Sequence, residues 1–298
     1  MKEPVFDCLV VGEANVDLLV EGVTELEVGK EKLASRMDLV LGGSSSITAF
    51  NLACMDTRVA FCGVIGDDTF GLVVKDSLQT AGVNTSGLRR IREEKTGLTI
   101  WHTQAGRRAG VTYPGTIGLL RAEDVTMLKQ ARHLHVGAYF LLKNFHSGAP
   151  ALFEKARRWG LTTSLDCNYD PEELWDAGIR DVLPHVDFFF PNDDEARKLT
   201  GLPNVQAAVR TLAKWGNTVA VKRGPRGALI SHQGELVRID AEKTRVVDTT
   251  GAGDSFNAGF LAALLKGKDI LESARAGVTA GSLCVGHIGG TAAFRKSQ

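Results

Sequence analysis

The chain lacks an excess of charge of either sign and has no long apolar run, and each absence excludes a class of protein. Its 298 residues carry 35 Lys and Arg against 35 Asp and Glu, so its overall charge does not draw it onto nucleic acid or an anionic membrane surface. No window approaches the ~18 apolar residues of a membrane span, and the opening residues resemble no signal-peptide core. We therefore expect a cytoplasmic protein without nucleic-acid or membrane partners.

Cysteine and aromatic residues are also scarce. The five cysteines are odd in number and widely spaced, with no C-x-x-C, which argues against a disulfide framework and against a zinc site. We expect most of them to be buried thiols that pack as small apolar side chains. A content of 44% apolar and 7% aromatic residues is typical of a globular protein and excludes a disordered chain.

Short apolar runs alternate along the chain with helical patterns, which is typical of a parallel sheet covered by helices on both faces. Continuous apolar runs such as 8–11 and 187–190 suit strands that are buried on both sides. The predicted strands are 6–12, 59–66, 133–138, 162–167, 187–192 and 218–224. The predicted helices are 44–55, 70–81, 149–159, 171–183 and 205–215. The fold class is therefore α/β, with three layers and a mostly parallel central sheet.

Two segments, about 16–41 and 97–115, lack helical periodicity and contain alternating apolar and polar residues. Both leave the sheet near the carboxyl ends of its strands, where open α/β sheets bind ligands. We expect them to pair as a small separate sheet that forms a lid over the site, within a single domain that spans 1–298. Because unpaired strand edges seek partners, a homodimer through the lid is a further expectation.

The most informative segment is D-T-T-G-A-G-D, which ends at Asp254 and leads into an apolar helical face from Phe256 to Leu265. The glycines therefore lie at a helix N-terminus, where unpaired N–H groups and the positive dipole end stabilise an anion. An anion site beside a carboxylate fits phosphoryl transfer, in which the amides stabilise the moving group and the carboxylate accepts the proton of the attacking hydroxyl. The alternative interpretation is a glycine turn in which Asp254 caps the helix.

G-A-G-D-S-F-N-A-G-F preceded by D-T-T resembles the carboxyl-terminal signature of the PfkB (ribokinase-like) family of carbohydrate and nucleoside kinases. The pair Gly42 and Gly43, followed by 59–68 and Gly71, is similar to the amino-terminal signature, so the resemblance covers nearly the whole chain. It implies a ribokinase-like fold and a kinase that uses ATP and Mg²⁺ to phosphorylate a hydroxyl of a small polyol, first of all a sugar. A nucleoside kinase is the main alternative, and a sugar-phosphate kinase is a further one.

The resemblance assigns roles at the carboxyl-terminal signature. It makes Asp254 the catalytic base, in agreement with the chemistry of the motif. Asp248 and Thr250 could supply ligands for a potassium ion. The residues implied to form the anion hole are Gly251, Ala252 and Gly253.

The resemblance also implies which residues bind the nucleotide and its magnesium ion, in two further segments. Asn192 and Glu195 match the family's N-x-x-E element, which helps to hold Mg²⁺ and its waters, although they could equally begin a helix. Gly224 and Gly227 resemble the G-x-x-G turn beside the nucleotide, for which the alternative is an ordinary hairpin bend. Lys222 stands where many relatives have Thr, and it could either reach a phosphate or be solvated.

On the acceptor side, Asn15 and Asp17 match polar residues that grip the substrate in the family. Asp17 can accept hydrogen bonds from two neighbouring hydroxyls, but it could also form an Asx turn. Gly42 and Gly43 would let the backbone approach the substrate. Ile47 replaces the asparagine that is usual four residues after the second glycine, so this chain departs from a ribose-specific pattern.

The D-C-N-Y-D segment resembles a sugar-kinase element in which Asp166 and Asn168 would line the site near the phosphates. Asp170 replaces an expected arginine, which argues against an acidic acceptor, and Asp170-Pro171 is typical of a helix start.

In the lid, Trp101 and Tyr113 could face the acceptor, because an aromatic ring can stack on a sugar or a nucleobase. Arg107 and Arg108 could bind a phosphate on the acceptor, or they could belong to a solvated β-turn.

Two hypotheses from other classes are weaker. A dinucleotide-dependent oxidoreductase needs a G-x-G-x-x-G turn after its first strand, and the segment 12–15 lacks it. A binding protein without activity would not need Asp254.

Overall fold

The computed structural model describes residues 4–23, 27–104, 107–215 and 218–295, and of residues 103, 104, 107 and 108 it describes the backbone alone. The strands in this part of the chain are β1 (Phe6–Val11), β2 (Asn15–Glu21), β3 (Arg36–Gly42), β4 (Val59–Gly66), β5 (Asn84–Ile91), β6 (Gly97–Gln104), β7 (Arg107–Tyr113), β8 (Ala131–Val136), β9 (Thr162–Leu165), β10 (Phe188–Phe189), β11 (Thr218–Lys222), β12 (Ala228–His232) and β13 (Glu235–Ile239). The α-helices are α1 (Ser44–Cys54), α2 (Thr69–Thr80), α3 (Ala149–Arg158), α4 (Ile179–Val182), α5 (Asp193–Thr200), α6 (Val205–Leu212), α7 (Ala252–Leu265) and α8 (Ile270–Cys284).

Nine strands form the central sheet, in the order β13-β12-β11-β10-β9-β8-β1-β4-β5. The strands from β11 to β5 are parallel, and β12 and β13 extend one edge as antiparallel strands. The mostly parallel sheet is thus confirmed. Because chain order runs outward in both directions from β1, a crevice opens at the carboxyl ends of β1 and its neighbours, where such sheets hold ligands.

Helices cover both faces of this sheet. Side chains of α1, α2, α7 and α8 form one apolar cluster with Cys8 and Val10, whereas those of α3, α4, α5 and α6 form the other with Leu9 and Val11. Alternate residues of β1 therefore enter opposite layers, as expected for an apolar strand buried on both faces. The three-layer α/β/α prediction is confirmed.

A second sheet has the order β3-β2-β6-β7 and is built from the two segments that lack helical periodicity. Three residues separate the carboxyl end of β1 from the start of β2, and β6 follows the carboxyl end of β5. The small sheet expected from 16–41 and 97–115 is present, and it stands at the edge of the central sheet where the crevice opens. Among the described residues, no helix has the length and apolarity needed to span a membrane.

The predicted helix over 171–183 is wrong in most of its length, since only α4 is helical there. The carboxylate of Asp170 accepts the backbone N–H groups of Glu172 and Trp175, so it organises a loop instead of capping a helix. The residues of this loop in the left-handed region are Glu173, Trp175, Ala177 and Gly178. Such a conformation at four nearby positions is incompatible with a right-handed helix.

Two elements escaped prediction. Strand β5 is a polar edge strand without a continuous apolar run. Helix α8 begins with a capping box in which Asp269 and Glu272 accept each other's backbone N–H groups, a signal that the sequence does contain.

Candidate active site

A cavity of about 310 Å³ lies at the carboxyl edge of the central sheet. It is lined by Ser44, Asp166, Asn168, Asn192, Glu195, Lys222, Gly224, Gly253 and Asp254. All of these except Ser44 were singled out from the sequence, although they come from distant parts of the chain. They meet because the carboxyl ends of neighbouring parallel strands lie at one edge of the sheet.

One wall of the cavity is the N-terminus of α7. The helix follows Gly251, whose φ is 71°, and a Cβ on this residue would lie 2.4 Å from the Cα of Gly290. Glycine is therefore required both by the backbone conformation and by the close approach of the loop that contains Gly290. No described side chain caps this helix end. The N–H of Ala252, predicted to belong to the anion hole, donates instead to the carbonyl of Thr249 at 3.3 Å. The N–H groups of Gly253 and Asp254 have no partner among the described residues, and both residues line the cavity.

Asp254 lies on that first turn, and its Oδ1 accepts a hydrogen bond from the hydroxyl of Ser44 at 2.5 Å. Burial raises the pKa of Asp254 to about 7, while the Ser44 hydrogen bond lowers it, nearby Asp166 raises it and Lys222 lowers it. A carboxyl whose pKa lies near neutrality is suited to general base chemistry.

A buried ion pair joins Lys222 to Asp166, with 2.5 Å between Nζ and Oδ2. Burial by itself would raise the pKa of Asp166, but the charge of Lys222 and the hydrogen bonds from Lys222 and Asn257 hold it below the ordinary value. Burial likewise opposes the charge of Lys222, but Asp166 and Glu195 hold its pKa above the usual range. Both groups are therefore charged at neutral pH.

Lys222 is consequently not solvated, which removes one of the two alternatives for this residue. Its side chain is 14% exposed, and its Nζ lies 3.5 Å from the position that a Cβ on Gly253 would occupy. The ammonium thus lies beside the N-terminus of α7, so the charge of Lys222 and the positive end of the helix dipole face the same cavity.

Asn192 caps α5 and Glu195 lies on its first turn, which confirms the helix start, and both residues also line the cavity. Asn192 Oδ1 accepts the N–H groups of Asp194 and Glu195, and the carboxylate of Glu195 accepts the N–H of Asn192 at 2.8 Å. Burial raises the pKa of Glu195 to about 7; Lys222 opposes this shift and Asp166 adds to it.

The oxygen ligands near α5 fit a magnesium ion held through water. Donor atoms of Asp166, Cys167 and Glu195 lie within 4.8 Å of one another, and the two carboxylates are of the type that Mg²⁺ prefers, whereas the thiol is not. Asp166 is already paired with Lys222, and Glu195 with Asn192. Because Mg²⁺ keeps much of its water shell, outer-sphere contact with these carboxylates suits it.

Asp248 and Thr250, for which a cation was predicted, are placed together before α7. Asp248 Oδ1 accepts the backbone N–H and the hydroxyl of Thr250, and its Oδ2 accepts the N–H of Gly289 at 2.8 Å. These contacts tie the turn before α7 to the loop near the carboxyl terminus.

The turn that was predicted to border the nucleotide lies between β11 and β12. Gly224 lines the cavity with a φ of 53°, and Gly227 follows with a φ of 75° as the chain turns into β12. Asp193, on the first turn of α5, accepts hydrogen bonds from Arg223 and Arg226 and so ties this turn to α5. Sequence reasoning missed this link, because no local pattern pairs an aspartate with arginines 30 and 33 residues away.

Asn168 is held in the left-handed region, with a φ of 57°. Its backbone N–H donates to Asp166 Oδ1 at 3.1 Å, which leaves Asp166 with partners on both oxygens. Asn257 of α7 completes this arrangement by donating to Asp166 Oδ2 at 2.5 Å. It was also missed, since its position in the middle of an apolar helix favours a packing role.

Asn15 and Asp17, which were predicted to bind the acceptor, start β2 and are almost fully buried. A Cβ on Gly42 would lie 2.2 Å from Asp17 Oδ1, and one on Gly43 would lie 2.5 Å from Asn15 Oδ1. The glycine pair therefore allows the two polar side chains to lie directly against the backbone before α1. Ile47 packs instead near Gly290, on which a Cβ would lie 2.8 Å from its Cδ1.

The register of the small sheet separates the two predicted lid aromatics. Trp101 is aligned with Leu19 of β2, two residues from Asp17, so it shares the face of Asp17. Thr99 of β6 is the residue opposite Asp17. Tyr113 is aligned with Leu98, the neighbour of Thr99, and neighbouring residues of a strand point to opposite faces, so Tyr113 lies on the face away from Asp17. The prediction that Tyr113 faces the acceptor is wrong, and its hydroxyl donates to Glu94 at 2.5 Å. The side chains of Arg107 and Arg108 lie outside the described residues.

Known proteins resemble the chain over nearly its whole length. A ribokinase from Haemophilus influenzae is 25% identical over 283 residues, which cover 93% of this chain and 91% of the relative. The structure of Arabidopsis thaliana ribokinase complexed with ribose and ATP superposes with a TM-score of 0.83 at 26% identity, covering 98% of this chain and 96% of that one.

A putative ribokinase II from E. coli, in complex with ATP and Mg²⁺, has a TM-score of 0.86 at 22% identity and covers 97% of this chain and 96% of its own. At that identity the likeness shows the fold.

The model of the pfkB family of carbohydrate kinases matches residues 5–296, which include both signature segments and every residue of the cavity. The chain therefore belongs to the pfkB family of carbohydrate kinases.

Proposed function

We propose that the protein is an ATP-dependent kinase that transfers the γ-phosphate to a hydroxyl of a sugar. One observation carries this proposal: the carboxylate of Asp254 lies on the uncapped first turn of α7, in the same cavity as the ammonium of Lys222. An anion site, a positive charge and a base are the groups that phosphoryl transfer to an alcohol requires. Membership of the family and the ATP bound by the Arabidopsis ribokinase support it.

In the proposed reaction Asp254 accepts the proton of the acceptor hydroxyl as its oxygen forms a bond to the γ-phosphorus. The bond between that phosphorus and the β–γ bridging oxygen breaks, and its electron pair leaves with ADP. The N–H groups of Gly251 and Gly253 and the ammonium of Lys222 stabilise the charge of the transferring group. Asn192 and Glu195 would hold Mg²⁺ through water, and the ion would neutralise phosphate charge.

Asn15 and Asp17 bind the acceptor hydroxyls, and the small sheet closes over the acceptor to exclude water that would otherwise hydrolyse ATP. The carboxyl groups of Asp17 and Asp254 disfavour an acceptor that already carries a phosphate. A nucleoside is the second candidate, because the half-buried ring of Trp101 lies on the same sheet face as Asp17, one residue pair further along the strands, at roughly 7 Å.

The proposal includes three finer points. A potassium ion would bind before α7 with oxygen atoms of Asp248 and Thr250 as ligands, and the side chains of these two residues lie within hydrogen-bonding distance of each other. Gly224 and Gly227 shape the turn that borders the nucleotide. The enzyme works in the cytoplasm, which supplies ATP and keeps thiols reduced, and its five cysteines are free.

The direct test measures ADP release from ATP and Mg²⁺ across sugars, sugar acids, sugar phosphates and nucleosides. We expect a single strong acceptor among the sugars. With that acceptor, Asp254→Asn should lower the kcat of the enzyme by at least about 100-fold, the usual contribution of a general base. Asp240→Asn is the matched control, because this exposed carboxylate pairs with Arg238 away from the cavity. Near-normal turnover of Asp254→Asn would contradict the assignment of the base.

The pH dependence of kcat/KM tests the same group. Because burial raises the pKa of Asp254 to about 7 and only the ionised form accepts a proton, kcat/KM should fall about tenfold per pH unit below pH 7. The residual rate of Asp254→Asn should lack this dependence. A wild-type profile that stays flat down to pH 5 would show that Asp254 does not act as the base.

Lys222→Met tests the buried ion pair. Removal of the ammonium leaves the charge of Asp166 buried without its main partner, which should cost about 3–5 kcal/mol of unfolding free energy, and the KM for ATP should rise. Urea unfolding measures the first effect. Lys268→Met, which removes an exposed pair with Glu272, should stay within about 1 kcal/mol of wild type.

The addition of Asp166→Asn to Lys222→Met should recover most of the lost stability, since no charge then stays buried without a partner. If Lys222→Met is as stable as Lys268→Met, the ion pair between Lys222 and Asp166 does not stabilise the fold as we propose.

We propose that the protein is a homodimer through the outer face of the small sheet, the face opposite Asp17. That face exposes a set of large apolar side chains, and sets of this kind mark protein contacts. Its members are Met37, Leu39, Ile100, Val111 and Tyr113.

Sedimentation equilibrium should therefore give about twice the chain mass of 32.0 kDa. Val111→Glu should shift the protein to the monomer, whereas Val246→Glu, in the exposed loop before α7, should not. A wild-type protein of monomer mass at micromolar concentration would refute the dimer.

A further inference from the structure

Ser44, the first residue of α1, connects two buried carboxyl groups from different parts of the chain. Its hydroxyl donates to Asp254 Oδ1 at 2.5 Å, and its backbone N–H donates to Glu13 Oε1, also at 2.5 Å. It lines the cavity beside Asp254. Sequence reasoning passed over it, because it is one of three consecutive serines and its partners lie 31 and 210 residues away.

Glu13 lies in the short connection between β1 and β2 and is 3% exposed. Burial raises its pKa to about 8, and the nearby carboxylates of Asp254, Asp166 and Asp17 raise it too, so the group is neutral near pH 7. No side chain of the residue before α1 caps this helix. Glu13 accepts its first N–H instead, and thereby holds the backbone of Ser44 at the position from which its hydroxyl reaches Asp254.

This arrangement constrains Asp254 in a specific way. The terminal torsion of an aspartate is soft, so an unrestrained carboxylate samples a wide range of orientations. The hydroxyl of Ser44 occupies Oδ1 and leaves Oδ2 for the proton of an acceptor. The link between Glu13 and Ser44 runs through a peptide N–H, which passes no proton, so the pair orients the base and does not relay its proton.

We propose that Ser44 is a positioning residue for Asp254, held in place by Glu13, and that turnover depends on this contact. The inference rests on the proposed function, because it takes Asp254 as the base. Ser44 acts through Asp254 and contacts neither substrate.

The charged groups around Asp254 give the direction of the effect on its pKa. Asp166, after β9, and Asp17, on β2, raise this pKa, and Lys222, at the end of β11, lowers it. Glu13 is neutral in the range where Asp254 titrates. The hydrogen bond from Ser44 is the other lowering influence, so its removal raises the pKa of Asp254 further.

The experiment compares Ser44→Ala, Ser44→Thr and Ser45→Ala. Ser44→Ala should lower kcat about tenfold, the loss expected for one hydrogen bond to a charged group, with acceptor KM changed less than twofold. The acidic limb of kcat/KM should move to higher pH. Ser44→Thr keeps a hydroxyl and should restore most of kcat. Ser45→Ala is the matched control, since its buried hydroxyl has no hydrogen-bond partner among the described residues.

A second readout needs no acceptor. NMR titration of ¹³C-carboxyl-labelled aspartate in the ligand-free protein, with the Asp254 signal identified by its loss in Asp254→Asn, should show a higher pKa for Asp254 in Ser44→Ala. An unchanged pKa and an unchanged kcat would overturn the inference. A rise in acceptor KM at unchanged kcat would also overturn it, because Ser44 would then bind the acceptor.

These readouts separate the inference from the proposed function. If the wild-type protein phosphorylates nothing, the proposed function fails by itself, and the NMR titration decides whether Ser44 governs Asp254. A shifted pKa then supports the contact, and an unshifted one removes it.

Discussion

The unpaired N–H groups at the first turn of α7 are the constraint on which the rest of the site depends. A helix end buried without a side-chain cap must find another partner, and here the groups face a cavity that contains Lys222. Gly251 takes a backbone conformation that brings Gly290 against it, and Asp248 ties the preceding turn to the same loop. The carboxyl-terminal loop, α7 and the sheet edge are thus packed around a place for an anion.

Burial of charge determines the chemistry at this place. One ammonium, that of Lys222, stands among several carboxyl groups, and it remains paired with Asp166. The other carboxyls lack a cation of their own, so burial raises the pKa of both Asp254 and Glu195 to about 7. The same environment that holds Asp166 as an anion therefore gives Asp254 the proton affinity of a useful base.

The sequence predicted the fold well wherever the signal is local. Apolar runs marked the buried strands, and a glycine turn before an apolar helical face marked the start of α7. The same local reasoning was wrong over 171–183, because Asp170 can either start a helix or hold a loop, and packing of Trp175 against Phe140 and Tyr169 accompanies the loop.

The candidate site was predictable only in part. Some of its residues are far apart in the sequence, and the face on which a lid residue lies depends on the register of its strand. Residues in the two family signatures could be recognised, but only Gly253 and Asp254 of these line the cavity. The other lining residues that were predicted come from the end of β11 and from the segments after β9, β10 and β11. Tyr113 could not be assigned correctly, since a change of one residue in strand register moves a side chain to the opposite face. Ser44 and Glu13 carry no motif, and only the tertiary fold brings them to Asp254.

The measurement that tests the central claim most directly is a crystal structure with Mg²⁺ and a non-hydrolysable ATP analogue. The account predicts the γ-phosphate within hydrogen-bonding distance of the N–H groups at the start of α7, close to the ammonium of Lys222, with the carboxylate of Asp254 on the side open to the acceptor. A triphosphate bound elsewhere, with the first turn of α7 unoccupied, would contradict it.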